Sequence, residues 1–321
     1  MDPIVFGLVA VAAVLHVGWN VVLKTAADPL VVAARSILAS ALVLVPAVAA
    51  GWLVAGRPAI PLEAVVVAAA SGVVETAYFV FLSEAYRRGD LSVVYPVARG
   101  TAPLLAVAIG VLVLGERLGP VASLGVVALL AGILVLQRPW LAIRRGRAAA
   151  TEAARGAVGF ALLAGASIAV YSALDRVGTR LVGPWLYGGL LWAAMAAATV
   201  GWIWLAGRAT LPIGRLPAGV TRGRRGSAAG ADEPPDPVAA IGWRRPALAG
   251  LLSLAAYLLI LAAYRVAPLT AVAPLRESAV VLASGWGAVG LGEAAGRRDA
   301  ARRIVAAGII LAGALLLALD A

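Results

Sequence analysis

Long apolar stretches separated by short polar breaks run the whole length of the chain, and their spacing sets the first expectation. A helix crosses the hydrocarbon of a bilayer with about 20 residues, each rising about 1.5 Å. Ten stretches of that kind can be marked, at 3–23, 30–54, 62–84, 91–114, 119–137, 156–174, 183–206, 246–266, 269–291 and 303–320. Residues 118–137 and 181–207 contain no charge at all. The period-two alternation of a barrel strand is absent, and the stretches are about twice a barrel strand's length. The pattern predicts an all-α integral membrane protein of about ten transmembrane helices. The first stretch lacks a basic n-region and carries His16, Asn20 and Lys24, so it reads as a retained helix and not a cleaved signal peptide.

Composition narrows this further. Of 321 residues, 62% are apolar and 13% charged, so a solvated surface for a soluble body of this size is not available. The absence of Cys removes disulfides, thiolate ligands and Cys nucleophiles, and a single His leaves little for a metal centre. No phosphate loop or nucleophile elbow is present, so neither an enzyme nor an ATP-driven pump is expected, and no cofactor is implied. The net charge of +11 does not point to nucleic acid, because the arginines sit between apolar runs and not on one face.

Two segments break the apolar pattern. Residues 139–155 form a basic linker with Arg144, Arg145 and Arg147, and 207–245 read as a flexible loop rich in Arg, Gly and Pro. The linker separates two halves, 1–138 and 156–321, that repeat a motif. Ala85-Tyr86-Arg87, then Leu91, Ser92, Pro96, Arg99 and Gly115-Glu116, recur as Ala263-Tyr264-Arg265, then Leu269, Thr270, Pro274, Arg276 and Gly292-Glu293. Five helices per half, an odd number, predict two repeats inverted in the membrane.

These residues resemble the drug/metabolite transporter superfamily, specifically its EamA-type members. The likeness rests on His16-Val17-Gly18-Trp19-Asn20 through Lys24, on Tyr95-Pro96-Val97-Ala98-Arg99-Gly100, on Leu114-Gly115-Glu116-Arg117-Leu118 and on Arg276-Glu277-Ser278. Gly292-Glu293 departs from the pattern, being followed by Ala294-Ala295 and not Arg-Leu. The resemblance implies a secondary transporter, usually an exporter, of a small polar or amphipathic metabolite by alternating access. It places the chain as a multi-pass protein of a bacterial inner membrane, with a homodimer left open. A lipid-linked sugar or headgroup flippase is the alternative, and a non-transporting membrane scaffold is a third reading.

Ionisable groups at membrane depth cost about 2.5–3.5 kcal/mol each on insertion scales, so those retained face a cavity or one another. His16, Asn20 and Lys24 share one helical stripe, either as a site or as interhelical hydrogen bonding with Lys24 reaching for the interface. Glu75, Arg99 and His16 lie at similar depth, with Tyr95 nearby. Glu75 and Arg99 are either a structural ion pair or a proton carrier and a clamp for a charged solute. The second half offers Tyr171, Arg276 and Glu277, with Asp175 and Arg176 read as an interfacial charge pair. Together His16, Asn20, Glu75, Tyr95, Arg99, Tyr171, Arg276 and Glu277 are the substrate- or proton-binding candidates, arranged as two polar layers displaced along the membrane normal. Trp19, Trp52, Trp185 and Trp286 read as interface anchors, with pocket lining the alternative for Trp19, and Pro96, Pro103 and Pro274 as kinks.

Loop charge predicts orientation. The side bearing the basic linker and 207–245 holds nineteen basic residues and the other side five. The positive-inside rule therefore puts both termini outside the cytoplasm, opposite to many proteins of similar type. Reporter fusions along the chain check this, and a cytoplasmic C-terminus would overturn it.

Overall fold

The computed structural model describes residues 2–24, 29–89, 91–148, 152–205, 242–277 and 297–319, and every regular element among them is a helix. They are α1 (Pro3–Lys24), α2 (Pro29–Val54), α3 (Leu62–Arg88), α4 (Leu91–Leu112), α5 (Pro120–Gln137), α6 (Pro139–Arg147), α7 (Glu152–Leu181), α8 (Pro184–Leu205), α9 (Arg244–Val266), α10 (Leu269–Glu277) and α11 (Arg297–Leu319). Pro is the first helical residue of α1, α2, α5, α6 and α8, where its missing N–H costs nothing and its fixed φ suits the helix. Seven helices among the described residues are long and apolar enough to cross a membrane: those over α2, α3, α4, α5, α7, α8 and α9. In α1 the apolar part is the shorter Pro3–His16. The stretch 269–291 lies outside the described residues beyond Glu277, as does most of 207–245.

Large apolar side chains on the outside, among them Leu42, Leu124, Val127, Leu311 and Leu315, are more than half exposed. In water that surface would be a liability; against lipid chains it is a match. The chain is therefore a multi-pass membrane protein.

Each half packs chiefly on the other. The partnerships are α3 with α7, α1 with α9, α3 with α8, α2 with α9, α2 with α8, α4 with α7, α4 with α10, and α5 with α11. The last pairing is a backbone contact: a Cβ on Gly125 would stand 2.8 Å from the Gly313 carbonyl oxygen, and one on Gly313 would stand 2.7 Å from that of Gly125. Small residues let membrane helices approach this closely. Arg302 of α11 donates to the Val135 and Leu136 carbonyls, meeting groups that the last turn of α5 leaves open.

α3 and α7 run several residues past the C-terminal ends of their apolar stretches. α3 continues to Arg88 because Glu84 pairs with Arg87 and Arg88 one turn on. α7 continues to Leu181 because Asp175 and Arg176, just past the apolar stretch, both find partners. This corrects the expected pairing of Asp175 with Arg176, which as adjacent helical residues point about 100° apart. Arg176 instead reaches Glu116 at 3.3 Å and the Tyr264 carbonyl. Glu116 in turn accepts from the Leu269 N–H at 2.8 Å and the Thr270 N–H at 2.9 Å, one with each carboxylate oxygen. A carboxylate from the first half thus caps the N-terminus of α10, where the helix dipole favours negative charge.

Removing this cap leaves Arg176 and two backbone N–H groups poorly met, so Glu116→Ala is expected to cost about 3 kcal/mol. Glu116→Gln, which keeps one acceptor oxygen, should cost less. Thermal unfolding in detergent, followed by loss of the monodisperse fraction, checks the order wild type, Gln, Ala.

Candidate functional site

Between the halves lies a cavity of about 70 Å³, lined from α1, α2, α3, α4, α7, α8, α9 and α10. Five candidates line it together: His16, Glu75, Arg99, Tyr171 and Arg276. The two polar layers expected at different depths are therefore one chamber. Arg99 is on α4 and Arg276 on α10, helices that pack on each other and bring both guanidinium groups to the same space. Tyr95 sits one turn before Arg99 on α4 and does not line the cavity. The side chains of Asn20 and Glu277, and that of Lys24, lie outside the described residues.

Arg99 Nη2 is 2.9 Å from His16 Nε2, and Trp19 Nε1 donates to His16 Nδ1 at 2.9 Å. Guanidinium and indole N–H groups only donate, and a neutral imidazole accepts at one nitrogen alone. The Arg99–His16–Trp19 row is thus richer in donors than in acceptors. Trp19 is 6% exposed and belongs to the cavity, which corrects its reading as an interface anchor: the His16 ring gives its indole N–H a partner inside the protein. Arg276 approaches Tyr171, with Nη2 3.4 Å from the hydroxyl and the guanidinium 5.8 Å from the ring centre.

The acids occupy another part of the wall. Glu75 is 5% exposed, and its Oε1 meets the Tyr257 hydroxyl. Glu75 therefore holds a phenol and not Arg99, so of the two alternatives for this pair the structural ion pair is not the one formed. The same hydroxyl meets Asp175 Oδ2. Asp175 is fully buried, and its Oδ1 accepts from Ser71 at 2.6 Å and from Tyr187 at 2.9 Å. Tyr257 is flanked by Trp192, edge-on with ring centres 5.3 Å apart, and by Tyr171 at 6.3 Å. Gly250, a residue of the wall on α9, allows close contact with α2, since a Cβ there would fall 2.4 Å from the Ser36 carbonyl oxygen.

Sequence reasoning did not single out Tyr257, Tyr187 and Ser71, and it put Asp175 at the membrane surface. The signal for Tyr257 was present: a phenol near the middle of the stretch 246–266 must find a partner for its O–H. That the partner would be two carboxyls at once was not readable from spacing.

The chamber thus combines charged groups and aromatic walls within a bundle of lipid-facing helices. Residues 4–138 match the EamA-like transporter family model, a match consistent with a member of the drug/metabolite transporter superfamily. No curated protein matches the chain. Over almost its entire length the chain is similar to a crystal structure of a protein at 20% identity, covering 99% of this chain and 98% of that one with a TM-score of 0.64. At that identity the likeness shows the fold alone.

The chain has no Cys, so single thiols can map the chamber. Ser253→Cys, on the cavity wall, is expected to react with a small polar thiol reagent. Leu254→Cys, one residue on within a packed apolar cluster, should be inert. Equal labelling of the two would remove the chamber from this face of α9.

Proposed function

We propose that the protein is a secondary transporter that carries a small polar or amphipathic metabolite outward across a bacterial inner membrane by alternating access, coupled to protons. The single observation behind this is the chamber at the junction of the halves, where Arg99 and Arg276 face the same space as Glu75. The donor-rich row Arg99–His16–Trp19 supports a substrate bearing an acceptor such as a carboxylate or carbonyl, and the aromatic wall supports an apolar portion.

Ten spans in two inverted five-helix repeats are the architecture that goes with this function. The exchange of partners between the halves supports it. If α1–α5 correspond to α7, α8, α9, α10 and α11, then α3 with α7 maps onto α1 with α9, and α3 with α8 onto α2 with α9. The pairs α2 with α8, α4 with α10 and α5 with α11 map onto themselves. Such a relation lets one sequence of contacts form on either side of the substrate, which is what opening to alternate sides requires.

Losing one charged hydrogen bond costs about 1.5–3 kcal/mol, which is roughly a 10- to 100-fold weakening. Arg99→Ala and Arg276→Ala are each expected to reduce transport by that factor while the protein stays inserted and monodisperse. The readout is untargeted profiling of metabolites in medium and cells with wild type, variant and empty vector. A metabolite that accumulates outside only with the wild type supports the reading. A change confined to envelope lipids would favour a flippase, and no change at all a scaffold.

A further inference from the structure

The hydroxyl of Tyr257 stands between two carboxyl groups, and hydrogen-bond counting restricts what those groups can be. A phenol has one proton to donate. It lies within hydrogen-bond distance of both Glu75 Oε1 and Asp175 Oδ2. If both acids were ionised, one contact would set an oxygen lone pair against another with no proton between. One of the three oxygens must therefore carry an additional proton.

Asp175 already accepts at Oδ1 from Ser71 and Tyr187, an arrangement that suits a carboxylate. Glu75 has Tyr257 as its hydrogen-bond partner among the described residues. The consistent arrangement has the Glu75 O–H donating to Tyr257 and Tyr257 donating to Asp175. We infer that Glu75 and Asp175 share one exchangeable proton through Tyr257, and that this trio is the proton site of the chain.

Among the described residues, the groups around it are cationic or neutral donors. Arg276 comes from α10, Arg99 from α4 and His16 from α1. Tyr78 on α3, Tyr171 on α7 and Tyr187 on α8 are the other ionisable neighbours among the described residues, while α2 brings Ser36 and Ser40 to the wall. When the proton leaves Glu75 for water, two anions remain with one phenolic proton between them. One of the two Tyr257 contacts must then break, releasing α9 from either α3 or α7. Binding and loss of a proton thereby become linked to helix separation. Its use in transport rests on the reading of this chamber as the transport site; the chemistry itself is tested without any substrate.

The test is infrared difference spectroscopy of the full chain in lipid vesicles during a pH titration, with the proton as probe. The wild type is expected to show the carbonyl stretch of one protonated carboxylic acid near neutral pH, moving on exchange into D₂O. Its loss should coincide with a shift of a tyrosine C–O band, because deprotonation breaks a Tyr257 contact. Glu75→Gln should abolish the acid band. Asp175→Asn should abolish it too at neutral pH, since Tyr257 is then free to donate to an ionised Glu75. A band that survives Asp175→Asn, or one that titrates in the wild type with no tyrosine shift, would show an isolated buried acid and overturn the sharing. Absence of any acid band in the wild type would overturn it as well. If Asp175→Asn does not fold, the wild-type coincidence of the two bands still decides. Failure of substrate profiling would not change these spectra, so the two readings fall separately.

Discussion

Hydrocarbon cannot solvate a charge, and every ionised group carried into the membrane has to be met by protein. In this chain that requirement ties distant segments together. Glu116 follows the fourth helix, yet its oxygens are satisfied by backbone N–H groups at 269 and 270 and by Arg176. Asp175 on α7 is met by hydroxyls from α3, α8 and α9. Arg265 returns the connection, donating to the Thr179 and Arg180 carbonyls near the end of α7. The apolar faces tolerate many neighbours of similar shape, while these polar groups accept few, so the polar contacts select which helices lie side by side.

The chamber follows from the same requirement. Charges that cannot reach lipid or water gather where helices from both halves converge, and the small residues at the seams let those helices come close enough to close it. Gly250 against Ser36 brings α9 to α2 and so sets Tyr257, two turns further along α9, among the aromatic rings. Backbone proximity and side-chain chemistry are thus two parts of one construction: the first determines reach, the second determines what is held.

Helix positions were largely legible in the sequence because hydrophobic length and Pro at helix starts are local signals. α2 and α8 begin and end within a residue or so of the apolar stretches that predict them. Legibility failed where a polar group extended an element or moved it inward. α7 runs on to Leu181 since Arg176 finds Glu116, a residue sixty positions away, and no local pattern announces that. The depth argument placed His16, Glu75 and Arg99 together, and they do line one cavity, whereas the inverted-repeat argument set Arg276 in a separate layer and Arg276 lines the same cavity. Depth along a helix says nothing about rotation around it, which is why the partner of Glu75 is Tyr257 and not Arg99.

The cap that Glu116 places on α10 also has a consequence for the order in which the protein can be made. Chains usually fold from the N-terminus as they emerge. Here a carboxylate synthesised at position 116 has no helix end to hold until residues 269 and 270 are in the membrane, more than 150 positions later. The same wait applies to Ser71 and Glu75, whose partners lie in the second half. The first five helices thus form an unfinished surface during biosynthesis, and the second half acts as the template on which that surface closes.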